Sequence, residues 1–115
     1  MTDAQCRLTY HSMMNAPVQD QLEAKFRTLV AQWKEGRGPE SLTFRMAMHP
    51  AYQQIIGMGP SAVPLILDEL RKEPDHWFWA LRAITGASPV KKEHRGKIEH
   101  MAADWIEWGR QNGYL

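Results

Sequence analysis

The stretch from Gly57 to Gly86 constrains the fold of this 115-residue chain more than any other part of it. Apolar residues recur there at intervals of three and four on both sides of a turn sequence at 73–75, a spacing typical of helices. We therefore expect two short amphipathic helices. The first is expected to begin near Ser61, as its cap, and to tolerate Pro64 in its first turn, and the second is expected to end at Gly86.

The apolar faces of these two helices predict the centre of the core. In the second helix, Trp77 is expected to lie on one buried stripe, and Asp75 is expected to cap the helix start. Trp79 lies about 200° around the helix axis from Trp77, so the two rings cannot share a face. Trp79 is therefore expected outside the core. The predicted core residues of the pair are Val63, Ile66, Leu67, Leu70, Trp77, Leu81 and Ile84.

Further helices are expected on both sides of this pair. Residues 1–16 show no apolar periodicity and are predicted to form a flexible tail, and Met13 and Met14 leave an alternative start open. Pro17 is predicted to open a helix that ends at 36–39, followed by short helices at 41–48 and 50–56. The predicted apolar faces of the first and last helices are Val18, Leu22, Phe26, Leu29, Val30 and Trp33, and Ile98, Met101, Ala102, Trp105 and Ile106.

No segment alternates apolar and polar residues, so strands are not expected. The prediction is an all-α fold, with a single domain of about five helices over 17–115. Pro64, Asp75 and Arg82 make residues 59–86 resemble a HEAT-like helical repeat unit, over about a quarter of the chain. The resemblance implies an antiparallel helix pair at the centre of a compact bundle. It also implies binding of other macromolecules through exposed faces.

Composition limits the classes of function. A formal net charge of +1 provides no global field that would attract nucleic acid or an anionic membrane. A lone cysteine, Cys6, excludes an internal disulfide, and neither a leader nor a long apolar run is visible. We therefore expect a soluble, cytoplasmic protein that does not bind membranes. Five tryptophans and seven methionines exceed what a small core needs, so some are expected to face a partner.

Residue types that could carry chemistry do not form a recognisable motif. No two histidines are three or four residues apart on one helix, and no candidate nucleophile lies beside a recognisable base. No catalytic residue, cofactor or metal ligand is predicted, although a small enzyme or metal-binding protein stays as a second alternative. The histidines and candidate nucleophiles considered are His11, His49, His76, His94, His100, Cys6, Ser41, Ser61 and Ser88.

Aromatic and basic residues provide the candidate binding sites. Exposed aromatic rings are frequent anchors of protein interfaces, but the same rings also occur as core or boundary residues of small bundles. A basic run at 91–97 is either a solvated approach to the last helix or a contact for phosphates, and Glu93 and Glu99 dilute its charge. The predicted partner-binding residues are Trp79, Trp108, Tyr114, Arg82, Lys91, Lys92 and Arg95.

These patterns favour a small non-catalytic module that binds a protein partner. An antitoxin, an immunity protein or a phage-encoded inhibitor would have this size and would act by occluding or bridging its target. The alternative is a nucleic-acid-binding module that uses the basic segment 91–97. Homodimerisation through the aromatic faces is also open.

Overall fold

Six α-helices make up the described part of the chain. The computed structural model describes residues 3–37 and 43–115, and the side chains from residue 20 onward in the first of these ranges. No strand occurs within these ranges, so the predicted all-α fold is confirmed. The helices are α1 (Asp3–Arg37), α2 (Thr43–Ala47), α3 (Pro50–Gly57), α4 (Val63–Lys72), α5 (Phe78–Thr85) and α6 (Ile98–Gln111), with 3-10 turns at Gly59–Ala62 and Lys92–His94.

Helix α1 begins at Asp3 rather than at Pro17, where the sequence pattern places its start. Residues 3–16 lack apolar periodicity, but they contain no glycine or proline and include several residues that favour helix. Local propensity therefore supports a helix where the apolar pattern does not predict one. The side chains of Cys6, His11 and Val18 lie outside the described residues.

A group of four buried aromatic rings joins α1, α3 and the turn before α5. The ring of Trp77 has its centroid 4.6 Å from that of Trp33, 5.8 Å from Tyr52 and 6.0 Å from Phe26. All four side chains are fully buried, which confirms the predicted core positions of Trp77, Trp33 and Phe26. Tyr52 is a core residue that the sequence pattern does not predict.

Helix α4 packs against α6 on the other side of the core. Its predicted apolar face is confirmed, because Val63, Ile66, Leu67 and Leu70 are all buried. Gly109 of α6 is also buried, and a β-carbon at this position would lie only 2.5 Å from Leu67 Cδ1. The close approach of the two helices therefore depends on glycine at this position.

The starts of α4 and α5 differ from the predicted ones. Ser61 is exposed within the 3-10 turn Gly59–Ala62 and does not cap α4. Helix α4 begins at Val63, directly after that turn. Pro64 does lie in the first turn of α4, as expected. Asp75 does not cap α5. Its side chain accepts a hydrogen bond from the His76 amide, which precedes the helix, and the flanking residue Trp77 makes no capping hydrogen bond with its side chain.

The other predicted boundaries agree more closely. Helix α3 begins at Pro50, and the His49 side chain caps it by accepting a hydrogen bond from the Ala51 amide at 3.1 Å. Helix α5 ends at Gly86, whose φ of 71° is the left-handed conformation that glycine adopts at low cost. Helix α2 lies inside the predicted range 41–48, of which Ser41 is outside the described residues.

Candidate protein-binding surface

Three large apolar side chains are exposed together at the surface formed by α2 and α5. Phe44 is 61% exposed, and Met48 and Trp79 are each 41% exposed. The rings of Phe44 and Trp79 meet edge to face with their centroids 6.0 Å apart. Met48 follows Phe44 by one helical turn and lines the same surface hollow. We call Phe44, Met48 and Trp79 the apolar patch.

A buried tryptophan holds the α2 side of this patch. The Trp33 indole Nε1–H donates a hydrogen bond to the Met46 carbonyl at 2.8 Å. Met46 and Ala47 are buried, so one side of this five-residue helix is fixed against α1 and α3. Phe44 lies on the exposed side, and its position therefore follows from the anchoring of Met46.

A buried tyrosine holds the α5 side. The Tyr52 hydroxyl donates to the His76 carbonyl and accepts from the Ala80 amide, each at 2.9 Å. The first amides of a helix have no acceptor within the helix. The Tyr52 hydroxyl, which belongs to α3, provides an acceptor for one of them. Burial raises the pKa of Tyr52, although the Ala80 amide acts in the opposite direction. The hydroxyl therefore stays protonated and continues to donate.

An ion pair fixes the turn that leads into α5. The Arg37 guanidinium donates two hydrogen bonds of 2.9 Å to the Asp75 carboxylate, and it lies 4.1 Å above the Trp33 ring. The His76 amide donates to the same carboxylate at 2.7 Å. Burial alone would raise the pKa of Asp75, but the Arg37 and His76 hydrogen bonds outweigh it and hold that pKa below 3.8. Asp75 thus links the end of α1 to the turn, instead of capping α5.

A groove runs from the apolar patch along the boundary of α5 and α6. A cavity of about 340 Å³ opens beside Trp79. A second cavity, of about 350 Å³, lies deeper and reaches Arg95 and Trp105. Phe78, Arg82 and Met101 line both cavities, so they form the divide between the two. The groove therefore connects Trp79 with the segment that precedes α6.

The segment 91–97 is held against α6 by one carboxylate. Asp104 Oδ2 accepts a hydrogen bond from the Lys91 amide at 3.1 Å and lies 2.7 Å from His94 Nδ1. Burial of the Asp104 carboxyl opposes its ionisation, but the contacts with His94 and Lys91 prevail and lower its pKa. The His94 ring also stacks on His100, with centroids 5.0 Å apart. These contacts position Arg95, which follows directly in the chain.

The predicted binding residues fall into separate groups. Trp79, Arg82 and Arg95 lie along the groove, and the side chains of Lys91 and Lys92 are exposed on the segment before α6. The other two aromatic residues, Trp108 and Tyr114, stack on each other with centroids 5.5 Å apart, beside Trp105 and against the core. They are half-buried boundary residues at the far end of α6.

Phe44 and Met48 are surface residues that the sequence pattern did not single out. Both lie in the segment 41–48, which is too short for a buried stripe to be distinguished from an exposed one. The available signal was their spacing: they are four residues apart and therefore share a helix face, and Met46 lies about 200° from each.

The described residues contain neither a cluster of metal ligands nor a helix that could span a membrane. No group of three or more His, Cys, Asp or Glu side chains there is arranged to hold a metal ion. Among the same residues, no helix combines the length and the apolar character needed to cross a membrane.

Comparisons with family models, with curated proteins and with solved structures found no match. The resemblance of residues 59–86 to a HEAT-like repeat unit therefore stays a prediction.

Proposed function

We propose that this chain is a non-catalytic module that binds a protein partner through the apolar patch. The observation that carries the proposal is the exposed edge-to-face pair of Phe44 and Trp79 beside a groove. Tryptophan and arginine are enriched among the residues that contribute most to protein–protein affinity. The exposed Trp79 and the neighbouring Arg82 are therefore of the residue types that dominate the centre of protein–protein interfaces.

The support beneath the patch favours binding over simple exposure. Phe44 and Trp79 belong to short helices, and each helix is fixed by a hydrogen bond with a buried aromatic residue. Trp33 donates to the Met46 carbonyl of α2, and Tyr52 accepts from the Ala80 amide of α5. A surface that is ordered before it meets a partner loses less conformational entropy on binding. Both rings are therefore presented in a defined arrangement.

A module of this kind would act by covering or bridging the surface of its partner. Antitoxins, immunity proteins and phage-encoded inhibitors work in that manner. The hydrophobic contact would come from the apolar patch, and Arg82 at its edge would contribute charge complementarity.

Photocrosslinking tests the proposal directly. Benzoylphenylalanine in place of Trp79 keeps an aromatic ring in the patch and reacts with whatever covers it. Thr28 is the matched control, because it is exposed on α1 at about 200° from the buried Phe26. In cells that produce the chain naturally, we expect a discrete protein adduct from position 79 and not from position 28.

The adduct also separates the alternatives. An adduct of twice the mass of the chain would identify self-association through the patch. An adduct that disappears after nuclease treatment would favour the nucleic-acid alternative, in which Trp79 would stack on a base beside Arg82. Equal labelling from positions 79 and 28 would contradict any specific role for the patch.

A further inference from the structure

The deeper cavity of the groove brings together two arginines from different elements. Arg82 belongs to α5 and Arg95 to the segment before α6, and both line the cavity of about 350 Å³ together with Ser88. Neither arginine forms an ion pair with another residue in the described ranges 20–37 and 43–115. Two exposed arginines therefore line one cavity, and neither has a counter-charge among the described residues.

The rest of the cavity wall is apolar. Phe78, Val90, Met101 and Trp105 line it, and no acidic side chain is among its described lining residues. Guanidinium groups match the planar geometry of a carboxylate and can bind it with paired hydrogen bonds. The apolar walls suit a ligand whose anionic group is carried on a hydrocarbon stem. Such a wall disfavours a dianion, because removing a larger charge from water costs more.

We propose that this cavity binds a glutamate or aspartate side chain of the partner protein, flanked in the partner by apolar side chains that contact Trp79 and Phe78. This inference rests on the proposed function and specifies the chemistry of the partner. The carboxylate lies between Arg82 and Arg95, and the Ser88 hydroxyl is a further donor from the same wall. The partner segment enters along the groove, since the cavity beside Trp79 shares Phe78, Arg82 and Met101 with the deeper one.

Peptide titration followed by NMR tests this assignment without knowledge of the natural partner. The probe is a short capped peptide with one glutamate between two phenylalanines, and its control is the same peptide with glutamine. We expect the glutamate peptide to shift the Trp105 indole and the Arg82 and Arg95 Nε–H signals. We expect it to bind at least about tenfold more tightly than the glutamine peptide, as a charge-assisted pair would require.

Substitutions identify the residues responsible. Arg82→Gln and Arg95→Gln should each weaken binding of the glutamate peptide about tenfold, whereas Arg71→Gln, at an exposed position of α4, should leave it unchanged. Amide spectra of each variant establish that the fold is retained. The proposal is overturned if the glutamate peptide does not bind, if both peptides bind equally, or if Arg71→Gln has the same effect.

A third peptide, with phosphoserine in place of glutamate, distinguishes the two anions. Tighter binding of the phosphoserine peptide by more than about tenfold would overturn the carboxylate assignment. Failure of the peptide titration together with a specific adduct from position 79 would refute the acidic partner segment and leave the protein-binding function standing.

Discussion

At the scale of single residues, two buried polar side chains determine how the apolar patch is presented. Tyr52 bonds to the His76 carbonyl in the turn and to the Ala80 amide in the first turn of α5. Asp75 accepts hydrogen bonds from Arg37 of α1 and from the His76 amide in the turn. Each side chain satisfies groups that would otherwise be buried without a partner. Loss of one such partner costs more than loss of an exposed hydrogen bond, because the remaining group stays desolvated.

Tyr52→Phe should therefore destabilise the fold by about 1 to 3 kcal/mol, since it leaves the Ala80 amide and the His76 carbonyl without their partner. The free energy of unfolding in urea measures this loss. Tyr114→Phe is the matched control, because Tyr114 is half-buried at the end of the chain, and it should change stability by less than about 0.5 kcal/mol. Equal losses for the two variants would contradict the role of the Tyr52 hydroxyl.

Asp75→Asn should lower stability at neutral pH by about 2 kcal/mol, because it removes the charge that Arg37 contacts twice. The pKa of Asp75 is lowered in the folded chain, so its contribution is complete above the ordinary value of 3.8 and is lost as the pH falls through the lower folded-state pKa. Stability of the variant should consequently depend less on pH in this acidic range. Urea unfolding from neutral to acidic pH measures the difference.

The exposed carboxylate of Glu35 supplies the control for that comparison. Glu35→Gln should retain the acid dependence of the original chain. A variant at Asp75 that loses stability in parallel with the original chain as the pH falls would show that another carboxylate is responsible.

At the scale of elements, the fold depends on close contacts between helices that are distant in sequence. Helix α4 packs on α6 through Leu67 and Gly109, and α5 packs mainly on α3. The groove lies where α5 and α6 border each other. A change in the separation of α4 and α6 would therefore also alter one wall of the groove.

Gly109→Ala tests this close approach. Alanine favours helix by about 1 kcal/mol over glycine, but its β-carbon would lie 2.5 Å from Leu67 Cδ1 in a fully buried contact. Overpacking of a core typically costs about 1 to 3 kcal/mol, so we expect a net loss of about 1 kcal/mol in urea unfolding. Gly57→Ala is the control, because no atom lies within 4 Å of its β-carbon position. Stabilisation by Gly109→Ala would show that the helices separate without cost.

At the scale of the whole molecule, charge is balanced overall and uneven locally. The net charge is +1, and the unpaired Arg82 and Arg95 lie in one groove. Binding that depends on two such groups and an apolar patch differs from binding along a nucleic-acid backbone. The dependence of affinity on salt separates these two modes.

The complex with a protein partner should weaken by less than about tenfold between about 50 and 200 mM salt. A nucleic-acid complex would use more basic side chains, each in contact with a phosphate. With five such contacts, the affinity would fall about 100- to 500-fold over the same range of salt concentration. Once crosslinking has identified the partner, titration calorimetry with the purified, unmodified partner at several salt concentrations measures how affinity depends on salt. A loss of several hundredfold would favour the nucleic-acid alternative over the proposed function.

Sequence periodicity was informative wherever a helix buries one continuous stripe. The core positions of α4 and those of α1 between Phe26 and Trp33 follow from 3.6 residues per turn. Trp77 is buried and Trp79 exposed, as predicted, although Trp77 lies in the turn before α5 and not within the helix. The same reasoning could not find Phe44, because α2 has only five residues. It also could not place Arg82 and Arg95 in the lining of one cavity, because that depends on how α6 packs.

The sequence by itself determined the helical class, several helix boundaries and the buried face of α4 and of α1 between Phe26 and Trp33, because these depend on interactions between residues close in the chain. Only the tertiary structure decided that Asp75 pairs with Arg37, that Tyr52 caps α5 and that Phe44 meets Trp79. Such contacts join residues that are far apart in the chain, and their distances are set by the packing of whole helices. The candidate surface is made of contacts of this second kind, so its residues become a site only in the folded chain.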